Sequence, residues 1–143
     1  MWRELTRGLC SDCEFYPPAS FSEIASVEQS LKVALPKDLK DLLTESNGIH
    51  GEYGLHLIWS TEEIQETNLL LRTPRFAQDY MPLDSLLFFA DAGNGEKFAF
   101  GIIEGRIKCP FIYSWNPIDD SRTWRAPSLK LYLEWWQQGK LSV

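Results

Sequence analysis

The stretch LLFFADAGNGEKFAFGI, residues 86–102, decides how the rest of the chain is read. Leu86 to Ala90 is an apolar run of strand length, and Lys97 to Ile102 partly alternates, so both halves suit a sheet with a buried face. Between them Asp91-Ala92-Gly93-Asn94-Gly95-Glu96 makes a connection whose glycines reach positive φ without a Cβ penalty and whose Asn94 tolerates the left-handed region. The pattern predicts a β-hairpin. A phosphate loop is excluded at Gly93-Asn94-Gly95, because the Lys, the Ser/Thr and the succeeding helix of that motif are missing.

Toward the C-terminus, Glu104-Gly105 reads as a second turn leading to RIKC (106–109), and FIYSW (111–115) as a further strand. A meander of three or four antiparallel strands is the simplest topology. DDSRTWRAP (119–127) reads as a loop that exposes Trp124, with Arg122 and Arg125 able to tie it to the body. Ser128 then caps a closing helix with Leu129, Tyr132, Leu133 and Trp136 on one stripe and Gly139 at its end.

Toward the N-terminus the period is helical. Ser20 and Glu23 form a capping box before Phe21, Ile24, Val27 and Leu31, which share one core face. After the extended KVAL (32–35), Pro36 opens a second helix carrying Leu39, Leu42 and Leu43, and Asn47-Gly48 ends it. Ser60 and Glu63 form a second capping box for a helix with Ile64 and Leu69 to Leu71, stopped or interrupted by Pro74. The expected fold class is α+β: one domain over 1–143, with a central, mostly antiparallel sheet covered by peripheral helices.

Composition bounds the function. A chain of 143 residues suits one domain, and 14 Lys and Arg against 20 Asp and Glu give a net charge of -6, the wrong sign for neutralising phosphates. Nucleic acid is excluded as the main partner, while a basic protein surface is a natural one. No signal-peptide pattern and no run of 18 apolar residues occurs, so a soluble, cytoplasmic protein without a membrane partner is expected. Cys10 and Cys13 have the CxxC spacing of a redox pair or half a zinc site. With Cys109 the only other thiol and two His in all, no cofactor or metal is expected, and the odd cysteine count favours a reducing compartment.

Conventional catalytic sets are scarce. His50 falls in a loop between Asn47-Gly48 and Gly51, His56 lies in GLHLIW facing solvent from a strand, and no serine sits in G-x-S-x-G. Asp119 and Asp120 follow Asn116-Pro117 and read as a polar turn or cap. Asp91 and Glu96 bracket the hairpin, and with Asp84, Glu52 and Glu104 they make an acidic rim if the fold gathers these loops. Their chemistry fits contact rather than turnover, so no catalytic residue is assigned.

The segment LPKDLKDLLTESNGI (35–49) strongly resembles the SMI1/KNR4 family, the SUKH superfamily, through its leucines and terminal Asn47-Gly48. The likeness continues in GEYGLHLIWSTEEIQETN (51–68), FFADAGNGEKFAFGI (88–102), IYSWNPIDD (112–120) and the closing PSLKLYLEWW (127–136), covering about 20–138. Cys10 and Cys13 lie outside it. The resemblance implies an α+β fold with no catalytic residue set, and a binding module of the kind that bacterial members use as immunity proteins against toxin enzymatic domains. Other readings are a regulatory or scaffold module and a small carboxylate-dependent hydrolase. Trp59, Asp91, Asn94 and Glu96 match family positions; with the aromatics Trp115 and Trp124 and the acidic Asp119 and Asp120 they are the candidate partner-binding residues. The expected partner is a basic toxin domain, covered by an acidic face with a few aromatic anchors.

Overall fold

The hairpin forms at the expected residues. In this computed structural model, which describes residues 1–141, β4 (Leu86–Asp91) pairs antiparallel with β5 (Lys97–Gly101), from Leu86 opposite Gly101 to Asp91 opposite Lys97. Gly93 and Gly95 take φ of 89° and 95°, which the tip demands. Asn94 closes it: its Oδ1 accepts the Glu96 N–H at 3.0 Å and its Nδ2 donates to Glu96 Oε2 at 2.9 Å. β6 (Ile112–Asn116) and β7 (Ser121–Ala126) complete a four-stranded meander in the order β4-β5-β6-β7.

A second, three-stranded antiparallel sheet holds β1 (Glu14–Phe15), β2 (Ile49–His50) and β3 (His56–Ile58). The two sheets abut where the Trp59 N–H donates to the Phe89 carbonyl at 2.8 Å. The α+β class and the single domain core are therefore as expected, with the sheet divided in two.

Both capping boxes are present. Ser20 opens α2 (Phe21–Leu31) and Ser60 opens α4 (Thr61–Leu71), each hydroxyl accepting from the N3 backbone while the N3 glutamate accepts from the cap residue's N–H. α3 (Lys37–Glu45) follows Pro36, and Pro74 starts the short α5 (Pro74–Ala77) instead of merely ending α4. α6 (Leu129–Gln137) buries Leu129, Tyr132 and Leu133 against the meander. Tyr132 packs on Phe89 and Phe98, and its hydroxyl reaches the Leu57 carbonyl at 3.0 Å, so a fully buried ring also pins α6 to β3. Along the β4 edge Asn68 of α4, fully buried, donates to the Phe88 carbonyl at 2.8 Å and accepts the Phe88 N–H at 2.9 Å.

Three expectations need correction, and one helix is unanticipated. RIKC is not a strand; beyond Glu104, at φ 53°, there is only an isolated bridge between Ile103 and Arg106. Residues 121–126 are strand β7 and not loop: Asp120, at φ 59°, turns the chain back, and an edge strand carries the charges that made the segment look like loop. Arg122 does tie it down, donating to the Met81 carbonyl at 2.9 Å and Ser85 Oγ at 3.0 Å, and Arg125 Nε donates to Ser114 Oγ at 2.7 Å. Phe21 is not core; as the first residue of α2 it stands 88 % exposed, and the buried stripe starts at Ile24. Finally, residues 2–9 form α1 (Trp2–Leu9), which buries Trp2 and packs against α3 and α6. Glu45 anchors its start, accepting the Arg3 N–H and the terminal ammonium, each at 3.0 Å.

Candidate functional site

A meander places alternate turns at the same end of the sheet. The β4–β5 tip (91–97) and the β6–β7 turn (116–121) therefore share one end, and their strands are two positions apart, roughly 10 Å. The 52–55 turn packs against the first of these: a Cβ on Gly93 would sit 3.4 Å from Leu55 Cδ1. Glu52, Asn94, Glu96 and Asp119 thus lie on turns at one end of the structure, and Tyr53 and Ile118, on the two outer turns, stand 97 % and 91 % exposed. Asp84 and Glu104 go elsewhere; both line an open cleft of about 710 Å³ at the opposite end, together with Arg72 and Tyr80. The expected acidic rim is split, and only part of it forms a single face.

Several candidate residues turn inward. Trp59 and Trp115 are each 2 % exposed and serve as core rings, not as surface anchors. Trp59 Nε1–H donates to Asp91 Oδ2 at 2.9 Å, and Lys97 Nζ donates to Asp91 Oδ1 at 3.4 Å, so both carboxylate oxygens of Asp91 are engaged within the chain. Asp120 is likewise internal. Burial alone would raise its carboxyl, but the Met81 N–H, the Trp115 indole and Arg122 together hold it below the ordinary aspartate value. Asp119 is exposed and accepts the Ser121 N–H at 3.0 Å, the turn role expected of it. Trp124 is 47 % exposed in mid-β7, with Phe111 edge-on to it at 6.4 Å. Asn94, Glu96, Asp119 and Trp124 remain as outward-facing candidates.

No metal-ligand set was expected from the sequence; the cluster of His50, His56 and Glu63 draws its members from three elements, of which only the two histidines are joined by a tight turn. His50 of β2 lies directly opposite His56 of β3, and cross-strand partners project to one face. Their rings stack at 4.1 Å, and His56 Nδ1 meets Glu63 Oε2 from the first turn of α4. One ligand atom from each of the three lies within 4.8 Å of the others. Tyr16 Oη stands 2.7 Å from His50 Nδ1 and donates to Glu14 Oε2 at 3.2 Å. Burial, followed by the neighbouring His56, lowers the His50 pKa below the ordinary value. The loop expected at His50 is thus a short strand, and the six-residue spacing of two histidines across a tight turn was the signal available.

The cysteines also depart from expectation: Cys10 and Cys13 form a disulfide at the end of α1, and Cys109 is exposed and free. Among the described residues no helix is long and apolar enough to cross a membrane.

No curated protein matches the chain. The family model SUKH_6, described as SMI1-KNR4 cell-wall, matches residues 22–133, from the first turn of α2 to the middle of α6. That span includes the meander, the Ser60–Glu63 capping box and the turns that form the exposed acidic end. The chain is a member of the SMI1-KNR4 family.

Proposed function

We propose that this chain is an immunity-type binding protein that covers the enzymatic domain of a cognate bacterial toxin, with a nuclease as the class whose basic substrate groove suits it. The observation that carries this reading is the acidic end of the sheet, where exposed Tyr53 and Ile118 are accompanied by Glu52, Glu96 and Asp119. Apolar anchors beside carboxylates that have no ion pair among the described residues fit a surface that meets a basic partner, with the charges speeding encounter and the anchors slowing release. A net charge of -6 adds a long-range field of the same sign. Members of the family without a catalytic set support a role in contact. Against a hydrolase, Asp84 and Glu104 share a cleft but both are exposed, and Glu104 pairs with Lys108 at 3.4 Å.

Co-expression with the toxin domain encoded beside the gene tests the reading. Rescue of growth together with a stable complex supports it; retained toxicity while both proteins are soluble rejects that pairing.

A further inference from the structure

We propose that His50, His56 and Glu63 form a binding site for a divalent transition-metal ion of the Zn²⁺ class, with the remaining coordination position open to water. The site lies at the base of the 51–55 turn that carries Glu52 and Tyr53, and metal binding there requires neither a toxin partner nor an enzymatic role.

Glu63 and His50 are each aimed by a partner outside the cluster, while Glu63 Oε2 and His56 Nδ1 face each other and their contact gives way when an ion enters. Glu63 is the N3 residue of the α4 capping box, so its Oε1 is held by the Ser60 N–H at 3.1 Å while Oε2 points at His56. Tyr16 has one hydroxyl proton and gives it to Glu14, so its oxygen accepts from His50 Nδ1–H. That tautomer puts the lone pair of His50 on Nε2, the arrangement by which an outer carboxylate commonly orients a metal-binding imidazole, here relayed through a phenol. Two imidazoles and one carboxylate are a Zn²⁺ donor set that keeps a position open, whereas Ca²⁺ and Mg²⁺ want oxygen ligands. Bonds of about 2.1 Å in a tetrahedron set ligand atoms roughly 3.4 Å apart, so the present spacing of up to 4.8 Å closes by small rotations of the stacked rings. His56 and Glu63 are 38 % and 33 % exposed, which leaves an entry path for a hydrated ion.

The test is calorimetric titration of Zn²⁺ into the chelator-stripped, disulfide-intact chain carrying Cys109→Ser, which removes the exposed thiol as a competing ligand. One ion per chain is expected, with affinity falling at least tenfold in His50→Ala, His56→Ala and Glu63→Gln. Glutamine also serves at N3 of a capping box, so Glu63→Gln keeps the helix start and its circular-dichroism melt reports an intact fold. Tyr16→Phe, a positioning change, is expected to weaken binding about tenfold with an unchanged melt. Co²⁺ in the same site is expected to give a visible spectrum without thiolate charge transfer. Absence of binding, binding unaffected by His56→Ala and Glu63→Gln, or a thiolate band that vanishes in Cys10→Ser would each overturn the proposal.

Discussion

Trp115 and Asp120, five residues apart, are bonded to each other: the indole Nε1–H donates to Asp120 Oδ1 at 2.8 Å across the β6–β7 turn. The same carboxylate accepts the Met81 N–H at 2.9 Å and pairs with Arg122 at 3.1 Å. One aspartate therefore fixes the turn, the start of β7 and the 80–85 segment that packs on Trp115 through Tyr80. A residue that reads as a surface acid in sequence is a structural latch.

Removing that latch is expected to destabilise. Asp120→Ala strands the Trp115 indole and the Arg122 guanidinium, a loss of about 1–3 kcal/mol in chemical denaturation. Because the folded carboxyl lies below its unfolded value, its contribution is complete above the unfolded aspartate pKa, near 3.9, and fades as pH falls through the folded one. The acid limb of the stability profile should be shallower in Asp120→Asn; an unchanged limb would remove Asp120 from the account.

Asn68 offers a sharper interior test. Its amide satisfies both backbone groups of Phe88, so Asn68→Leu leaves a buried N–H and a buried carbonyl unpaired although the volume is kept. An expected loss of about 2–4 kcal/mol follows from two uncompensated polar groups. Equilibrium unfolding with a change below about 0.5 kcal/mol would contradict it.

The helix α1 rests on Trp2 and Glu45 more than on its disulfide, which closes a very short loop. Trp2→Ala is expected to cost about 3–5 kcal/mol, and Cys10→Ser with Cys13→Ser clearly less. Alkylation followed by mass spectrometry should count one reactive thiol before reduction, Cys109, and three after it. Three thiols in the untreated oxidised protein would contradict the pairing.

Trp124 separates binding from folding. Half-exposed on an edge strand, it is expected to tolerate Ala with little change in melting temperature, while partner affinity falls about tenfold or more if the interface reaches β7. Unchanged affinity would confine the interface to the end of the sheet.

The sequence was most informative where local chemistry decides structure. Ser20 with Glu23, Ser60 with Glu63 and Ser128 mark helix starts because a cap depends on three or four consecutive residues. Gly93-Asn94-Gly95 marks its hairpin for the same reason. What lay hidden was non-local. Trp59, just past β3, and Trp115, within β6, are buried because other elements cover them, and no local periodicity says so. β7 looked like loop because its edge position calls for arginines and a threonine, and α1 was missed because its burial rests on Trp2 and on contacts with α3 and α6. The histidine pair needed the register of β2 on β3 before it could be seen.

The central claim is that the acidic end of the sheet steers this chain onto a basic partner. The most direct measurement is stopped-flow association of the wild type and of Glu52→Lys, Glu96→Lys and Asp119→Lys combined, with the neighbouring toxin domain, across ionic strength. The account predicts that the wild-type on-rate falls steeply with salt and that the triple variant associates at least tenfold more slowly at low salt, the two converging near 1 M where the screening length is about 3 Å. Equal on-rates and equal salt slopes for both proteins would contradict it.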